Sequence, residues 1–262
     1  MSYSAIGFDV RDGVAHVLLN RPKAANALNL ELVGELLDAS QRCRDDHEIR
    51  AVLLSGAGPM FSAGGDLRAF ANAPEGAPAF IQKLASTLHQ AVSVLARMDP
   101  PVVVAVNGVA AGAGMSIVCH ADLAIAAESA RFTMAYTAAG LAPDGGSTHF
   151  LPRIVGYRRA AELMLTNRRL SAAEALEWNI VNRVVPDTDL MAEAERLALA
   201  LAGGPTRAFG AVKRLLSAGA TNDLEPQLDL ETKYIVEMAG TRDGMEGIHA
   251  FLEKRAPRFT GE

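Results

Sequence analysis

The chain has 262 residues, half of them hydrophobic and 21% charged, with a formal net charge of −5. That length can bury a substantial core in one main domain, and an acidic balance with no Lys/Arg-rich block argues against a nucleic-acid surface, which needs a concentrated basic face. Only Cys43 and Cys119 occur, which excludes a disulfide framework and points to a reducing cytoplasm.

In chain order, MSYSAIGFDVRDGVAHVLL lacks the basic and apolar regions of a secretion signal and predicts a strand hairpin turning at Asp12-Gly13. Residues 13–20 read as strand. Residues 29–44 carry helical periodicity through Leu30, Val33, Leu36 and Leu37, behind Asn29 as N-cap. A strand follows over 49–55, then the turn FSAGGDLRAF, where Gly64 and Gly65 precede Asp66 at a first helical turn. NAPEGAP predicts a loop, and 79–98 a long helix closed by Asp99-Pro100-Pro101.

The uncharged stretch PVVVAVNGVAAGAGMSIVCHA, residues 101–121, organises the chain. Its β-branched run 102–106 predicts a strand buried on both faces. Gly108, Gly112 and Gly114 then clear side chains from a turn, and 114–120 predicts a buried helix whose first N–H groups point back into that turn. This turn and the one at Gly64-Gly65 lie on strands expected to be neighbours. Together they would aim two backbone N–H groups at one oxygen, an oxyanion hole made without side chains. A membrane span is disfavoured, because glycines interrupt the stretch and Asp99 and Asp122 flank it without aromatic or basic anchors. Ile117 stands where a dinucleotide fingerprint needs glycine, and the surroundings of Ser116 fall one glycine short of a nucleophile elbow. The six histidines and two cysteines show no metal-ligand spacing, so neither a metal nor a separate cofactor is expected.

Beyond this stretch, 122–127 and 131–135 predict strands, and LAPDGGSTHFLPRIVG turns sharply into a helix at Asp144-Gly145-Gly146. Residues 158–166 are helical, Ser171 and Glu174 form a capping box, 180–185 is a last strand, and everything past 187 is helical with breaks at Gly203-Gly204-Pro205 and Gly219. The pattern is an α/β core over 1–200 and a helical region over 201–262. On residue type alone, Asp144 is either a helix N-cap or a working carboxylate. Asp66 reads as a cap, His89 as a surface or packed side chain, Tyr136 as a core one, and Ser116 as bonded to backbone.

Taken together, RPKAANALN at 21–29, FSAGGDL at 61–67, AVNGVAAGAG at 105–114 and GLAPDGGST at 140–148 resemble the crotonase superfamily, the enoyl-CoA hydratase/isomerase family. The resemblance implies a spiral of ββα repeats with a C-terminal helical region that packs trimers or hexamers, and an acyl-CoA thioester as substrate. It places the oxyanion donors on Gly65 and Ala113. It places coenzyme A against Lys23, Ala24, Ala25, Ala63, Asp66 and Leu67, with Arg21, Lys23, Arg68 and Lys254 as cations for the phosphates, Lys254 serving a neighbouring subunit. The two glutamates that hold water in ordinary hydratases correspond to Ser116 and Tyr136, neither of them a carboxylate. Asp144 stands where isomerases of the ring-epoxyphenylacetyl-CoA type carry their acid/base, which implies an enoyl-CoA isomerase. Aryl-CoA dehalogenases place a nucleophilic aspartate there, with a histidine at the position of His89 and a tryptophan at that of Tyr136. A hydratase, a dehalogenase or thioesterase using Asp144 as nucleophile, and an idle acyl-CoA binder remain the alternatives.

Overall fold

Asp12 and Gly13, with φ of 50° and 77°, turn the chain between β1 (Ile6–Arg11) and β2 (Val14–Leu19) in a computed structural model that describes residues 3–262. Two consecutive left-handed residues match the twist of a tight hairpin, which explains the Asp-Gly pair. Asn29 caps α1 (Leu30–Asp45) by accepting the Leu32 N–H at 3.0 Å. Then follow β3 (Ala51–Gly56), β4 (Met60–Ser62), α2 (Leu67–Ala71) and α3 (Ala77–Arg97). The stretch 101–121 supplies β5 (Val102–Val106), β6 (Val109–Ala111) and α4 (Ala113–His120). After it come β7 (Leu123–Ala127), β8 (Arg131–Thr133), α5 (Ser147–Val155), α6 (Tyr157–Thr166), β9 (Leu170–Ser171), α7 (Ala172–Glu177) and β10 (Arg183–Val185). Four helices close the chain, α8 (Leu190–Ala202), α9 (Thr206–Gly219), α10 (Leu224–Ala239) and α11 (Arg242–Leu252).

The strands form two sheets, one of order β1-β2-β3-β5-β7-β10 and one of order β4-β6-β8-β9. Each of the pairs β3/β4, β5/β6 and β7/β8 places its first strand in the large sheet and its second in the small one, and a helix follows. This is the repeating ββα spiral of an α/β fold. Apart from the β1/β2 hairpin the large sheet is parallel, and side chains alternate between its faces. Val52, Leu54, Val102, Val104, Ala124 and Ala126 enter the main core with α1 and α3, while Leu53, Val103, Ala105 and Ile125 meet α8 on the other face. Both faces are covered, so these strands are apolar without alternation. On α8, Leu190, Ala194, Ala198 and Ala202 recur every fourth residue, and the small side chains let the helix lie close to the sheet.

The structure differs from the sequence reading in several places. Of the small sheet only β8 is read from the sequence, because β4, β6 and β9 have two or three residues each and carry no periodicity. The last strand is only Arg183–Val185, and the strand expected to reach Ala135 stops at Thr133. Helix α3 begins at Ala77, inside the predicted loop, since Pro78 suits a first helical turn. The Ser171/Glu174 capping box forms as expected. Among the described residues no helix is long and apolar enough to cross a membrane. The helical C-terminal region is tied down by Asp243, whose buried carboxylate accepts the N–H groups of Thr260 and Gly261 at 2.7 and 2.8 Å.

Candidate active site

Two glycine turns meet where β3/β4 and β5/β6 end. Gly64 has φ of +89°, and a side chain there would reach within 2.7 Å of the Ala111 carbonyl oxygen and 3.1 Å of the Ala113 nitrogen. Gly112, at φ of +52°, faces it. At position 64 only a residue without a Cβ allows this contact between backbones. The Gly64-Gly65 turn is held from its other side, with the Leu28 N–H on the Gly64 carbonyl at 2.7 Å and the Asp66 N–H on the Leu28 carbonyl at 3.0 Å. Among the described residues no acceptor takes the N–H of Gly65 or that of Ala113. Ala113 opens α4, so the helix dipole adds to its donor strength.

The segment 21–28 is shaped by one residue that sequence reasoning missed. Asn26 is fully buried, and its amide nitrogen lies 2.8–3.1 Å from the carbonyl oxygens of Ala57, Met60 and Phe61. Its Oδ1 accepts the Arg21 N–H at 2.9 Å. Ala25 and Asn26 both have positive φ, which folds the backbone back after the turn at Pro22–Ala24. The result is a cleft of about 760 Å³ that brings together Lys23, Ala24, Ala25, Ala63, Gly65, Asp66, Leu67 and Arg68. Asp66 caps α2 through the Ala69 N–H at 3.2 Å and also pairs with Arg21 at 3.1 Å, so Arg21 is engaged within the chain. Lys254 is exposed beyond α11 and does not border this cleft.

A second cleft, of about 940 Å³, has Asp144 and His89 in its wall. Asp144 does not cap α5, which corrects the alternative left open by its residue type. The N-cap position is Gly146, and the Asp144 carboxylate instead accepts the Tyr136 hydroxyl at 2.6 Å. Tyr136 is likewise more than a packed side chain. Its hydroxyl lies 2.9 Å from Ser116 Oγ, and since its proton is committed to Asp144, Ser116 is the donor in that bond. The single Ser116 hydrogen is shared with the more distant Gly112 carbonyl at 3.3 Å, so the backbone bond expected for it is the weaker of its two contacts. Burial, then the neighbouring Asp144 charge, pushes the Tyr136 pKa well above the ordinary tyrosine value, so it remains a donor at neutral pH. Ala135, immediately before Tyr136, is held at a left-handed φ of 51°.

His89 lies on the exposed side of α3, yet its Nε2 accepts the Gly145 N–H at 3.1 Å. An accepting Nε2 places the proton of the neutral ring on Nδ1. Gly145 is required here, because a side chain on it would come within 2.9 Å of Ser116 Cβ. Asp144 thus accepts a phenol hydrogen bond while the next residue is held by an imidazole of the same cleft, an arrangement suited to moving a proton or attacking an electrophile.

The comparisons agree with this architecture. The family model for enoyl-CoA hydratase/isomerase matches residues 9–262. The chain is 42% identical to 1,2-epoxyphenylacetyl-CoA isomerase of Escherichia coli (strain K12), covering 97% of both chains. It is 37% identical to 4-chlorobenzoyl coenzyme A dehalogenase-2 of an Arthrobacter species, covering 95% of this chain and 91% of that one. A crystal structure of enoyl-CoA hydratase from Bacillus anthracis superposes with a TM-score of 0.92 at 34% identity, covering 99% of this chain and all of that one. With the ββα spiral, the paired glycine turns and a match over nearly its whole length, the chain belongs to the enoyl-CoA hydratase/isomerase family of the crotonase superfamily.

Proposed function

We propose that the protein is an acyl-CoA isomerase that moves a double bond, or opens a ring epoxide on the carbon next to the thioester's Cα, with Asp144 as its acid/base. The observation that carries this reading is the Asp144 carboxylate, aimed by the Tyr136 hydroxyl at 2.6 Å in a cleft whose other carboxylate, Asp122, is paired with Lys213. The positions that carry a water-holding glutamate pair in hydratases are Ser116 and Tyr136 here, and those two side chains bond to each other at 2.9 Å.

In this reading the thioester oxygen lies between the N–H groups of Gly65 and Ala113, which no protein acceptor uses among the described residues. Coenzyme A lies in the cleft of Lys23 to Ala25 and Asp66 to Arg68. For an enoyl thioester, Asp144 removes a proton from Cα of the 3-enoyl form, or from Cγ of the 2-enoyl form. The resulting enolate places negative charge on the oxygen, where each backbone donor contributes roughly 3 kcal/mol in the transition state. Asp144 then returns the proton to a different carbon, so the double bond shifts and no atom is gained or lost. Residues 1–200 form the acyl-CoA-binding core, and 201–262 a helical region for trimer or hexamer assembly. The exposed Leu224, Leu228, Ile235, Val236 and Phe251 support that last assignment.

The test is incubation with matched 2-enoyl and 3-enoyl CoA thioesters in deuterated water, following ultraviolet absorbance and mass. A change of conjugation with deuterium uptake at constant oxygen content is the expected result. Gain of one water's mass would replace isomerase by hydratase, and binding without turnover would leave an acyl-CoA binder. A second reading is hydrolytic attack by Asp144 on an aryl or acyl carbon, with His89, which borders the same cleft, taking a proton from water once its Nε2 releases the Gly145 N–H. Halide release from a chlorobenzoyl-CoA, or hydrolysis of the thioester, would select it.

A further inference from the structure

Ser116 has one hydroxyl hydrogen and two acceptors for it, the Tyr136 oxygen at 2.9 Å and the Gly112 carbonyl oxygen at 3.3 Å. The side chain is fully buried, so solvent does not compete for that hydrogen. The two acceptors belong to the two halves of the site. Tyr136 passes its own hydrogen to Asp144 Oδ1 at 2.6 Å. The Gly112 carbonyl belongs to the same peptide group as the Ala113 N–H, which no acceptor takes among the described residues. That carbonyl already accepts the Ser116 N–H at 3.0 Å, and a carbonyl oxygen has a second lone pair for the hydroxyl. A continuous chain of hydrogen bonds therefore runs from the Asp144 carboxylate to the peptide group that carries the Ala113 donor.

The charge on Asp144 sets the direction of the Ser116 hydrogen. Hydrogen bonds in a chain polarise one another, by roughly 10–30% per bond. While Asp144 is ionised, Tyr136 donates to an anion and its oxygen gains negative charge, which favours the nearer of the two Ser116 contacts. Once Asp144 holds a proton, that advantage is lost and the Ser116 hydrogen turns to the Gly112 carbonyl. A peptide group whose carbonyl accepts a further hydrogen bond has a more strongly polarised N–H, so the Ala113 donor strengthens.

We infer that Ser116 is a positioning residue that couples the protonation of Asp144 to the strength of the Ala113 oxyanion donor. The timing suits the reaction. When the substrate's proton moves to Asp144, the electron pair of the broken C–H bond moves onto the thioester oxygen, and the donor beside that oxygen is then at its strongest. When the proton returns to carbon, the Ser116 hydrogen returns to Tyr136 and the donor weakens. The site thereby favours the enolate over the bound substrate, and only such a difference raises the rate of the chemical step. The inference rests on the reading of Asp144 as acid/base and of Ala113 as a donor to the thioester oxygen.

The experiment is infrared difference spectroscopy of a saturated acyl-CoA thioester with an isotopically labelled carbonyl, bound to wild type and to Asp144→Asn, the neutral stand-in for the protonated carboxyl. Binding to wild type is expected to move the carbonyl band to lower wavenumber than in water, and Asp144→Asn to move it lower still. With Ser116→Ala the step from aspartate to asparagine keeps only the direct effect of removing a nearby charge, so it is smaller. Ser116→Cys, of similar size and with a weaker donor, gives a step between the two. Tyr136→Phe cuts the chain at its other link and reduces the step as Ser116→Ala does. A step of equal size with and without the Ser116 hydroxyl would overturn the inference, as would an undiminished step in Tyr136→Phe; either is the mark of a purely structural Ser116. Should Ser116→Ala fail to fold, Ser116→Cys and Tyr136→Phe decide. A band that does not move on binding to wild type would remove the placement of the thioester at Ala113 and this inference with it, whereas a band that moves but gives equal steps removes this inference alone.

Discussion

The Tyr136 hydroxyl donates to Asp144 Oδ1 at 2.6 Å while receiving the Ser116 hydroxyl at 2.9 Å. Three side chains from three parts of the chain thereby fix the direction of one carboxylate. Tyr136→Phe removes the donor and keeps the ring. A hydrogen bond to a charged group contributes roughly 1.5–3 kcal/mol, so kcat should fall about tenfold to a hundredfold with KM nearly unchanged, as read by steady-state kinetics. An unchanged kcat would show that Asp144 needs no such orientation.

Asp144→Asn preserves shape and removes the proton acceptor. Loss of general acid/base catalysis costs on the order of a hundredfold to ten-thousandfold in rate, while affinity for a coenzyme A thioester should change by less than about twofold. Calorimetric titration beside turnover measurements separates these effects, and a variant retaining near-normal turnover would remove Asp144 from the mechanism.

Gly64→Ala places a Cβ 2.7 Å from the Ala111 carbonyl oxygen at a φ of +89°. Neither the backbone contact nor the left-handed conformation tolerates it, so the two glycine turns must separate. Losing one oxyanion donor costs about a hundredfold to a thousandfold in kcat, and a thermal melt should show destabilisation as well. Wild-type activity in this variant would mean that the contact between the turns does not position the donors.

Asn26→Ala removes the amide group that serves the carbonyls of Ala57, Met60 and Phe61. Leaving such groups unpaired costs on the order of 3 kcal/mol in all, or roughly 6–12 °C in Tm for a chain of this size. Because Asn26 also holds the Arg21 N–H, affinity for coenzyme A should fall together with stability. A variant with normal Tm and affinity would show that the segment 21–28 is shaped by its neighbours alone.

His120 makes stability depend on pH. Burial lowers its pKa from 6.5 to about 4 in the folded protein, so below about pH 6.5 the unfolded chain takes up a proton that the folded chain refuses. This contribution is absent at neutral pH, and stability falls as pH drops toward 4, by about 3 kcal/mol in total. Urea denaturation of wild type and His120→Leu at pH 7 and pH 4.5 should converge on a smaller acid loss in the variant. Equal losses would show that the ring is protonated in the folded state.

The sequence by itself determined the long elements and the glycine turns. Strands buried on both faces must be continuous apolar runs, as in residues 102–106, and amphipathic helices must repeat with the helical period, as in α1 and α3. The glycine at position 64 and the Asp12-Gly13 pair were legible for the same local reason, since a left-handed backbone restricts residue type where it occurs. Apart from β8 the small sheet was not legible, because strands of two or three residues have no period and exist only through their partners. Nor were the surroundings of Asp144. Residue type left it either a cap or a working carboxylate, and only the approach of Tyr136 across eight residues shows that its side chain is not a cap. The same holds for Asn26, Ser116 and His120, polar residues whose meaning lies in what surrounds them. Local conformation is written in nearby residues, whereas hydrogen-bond partnership and burial arise only when distant segments pack together.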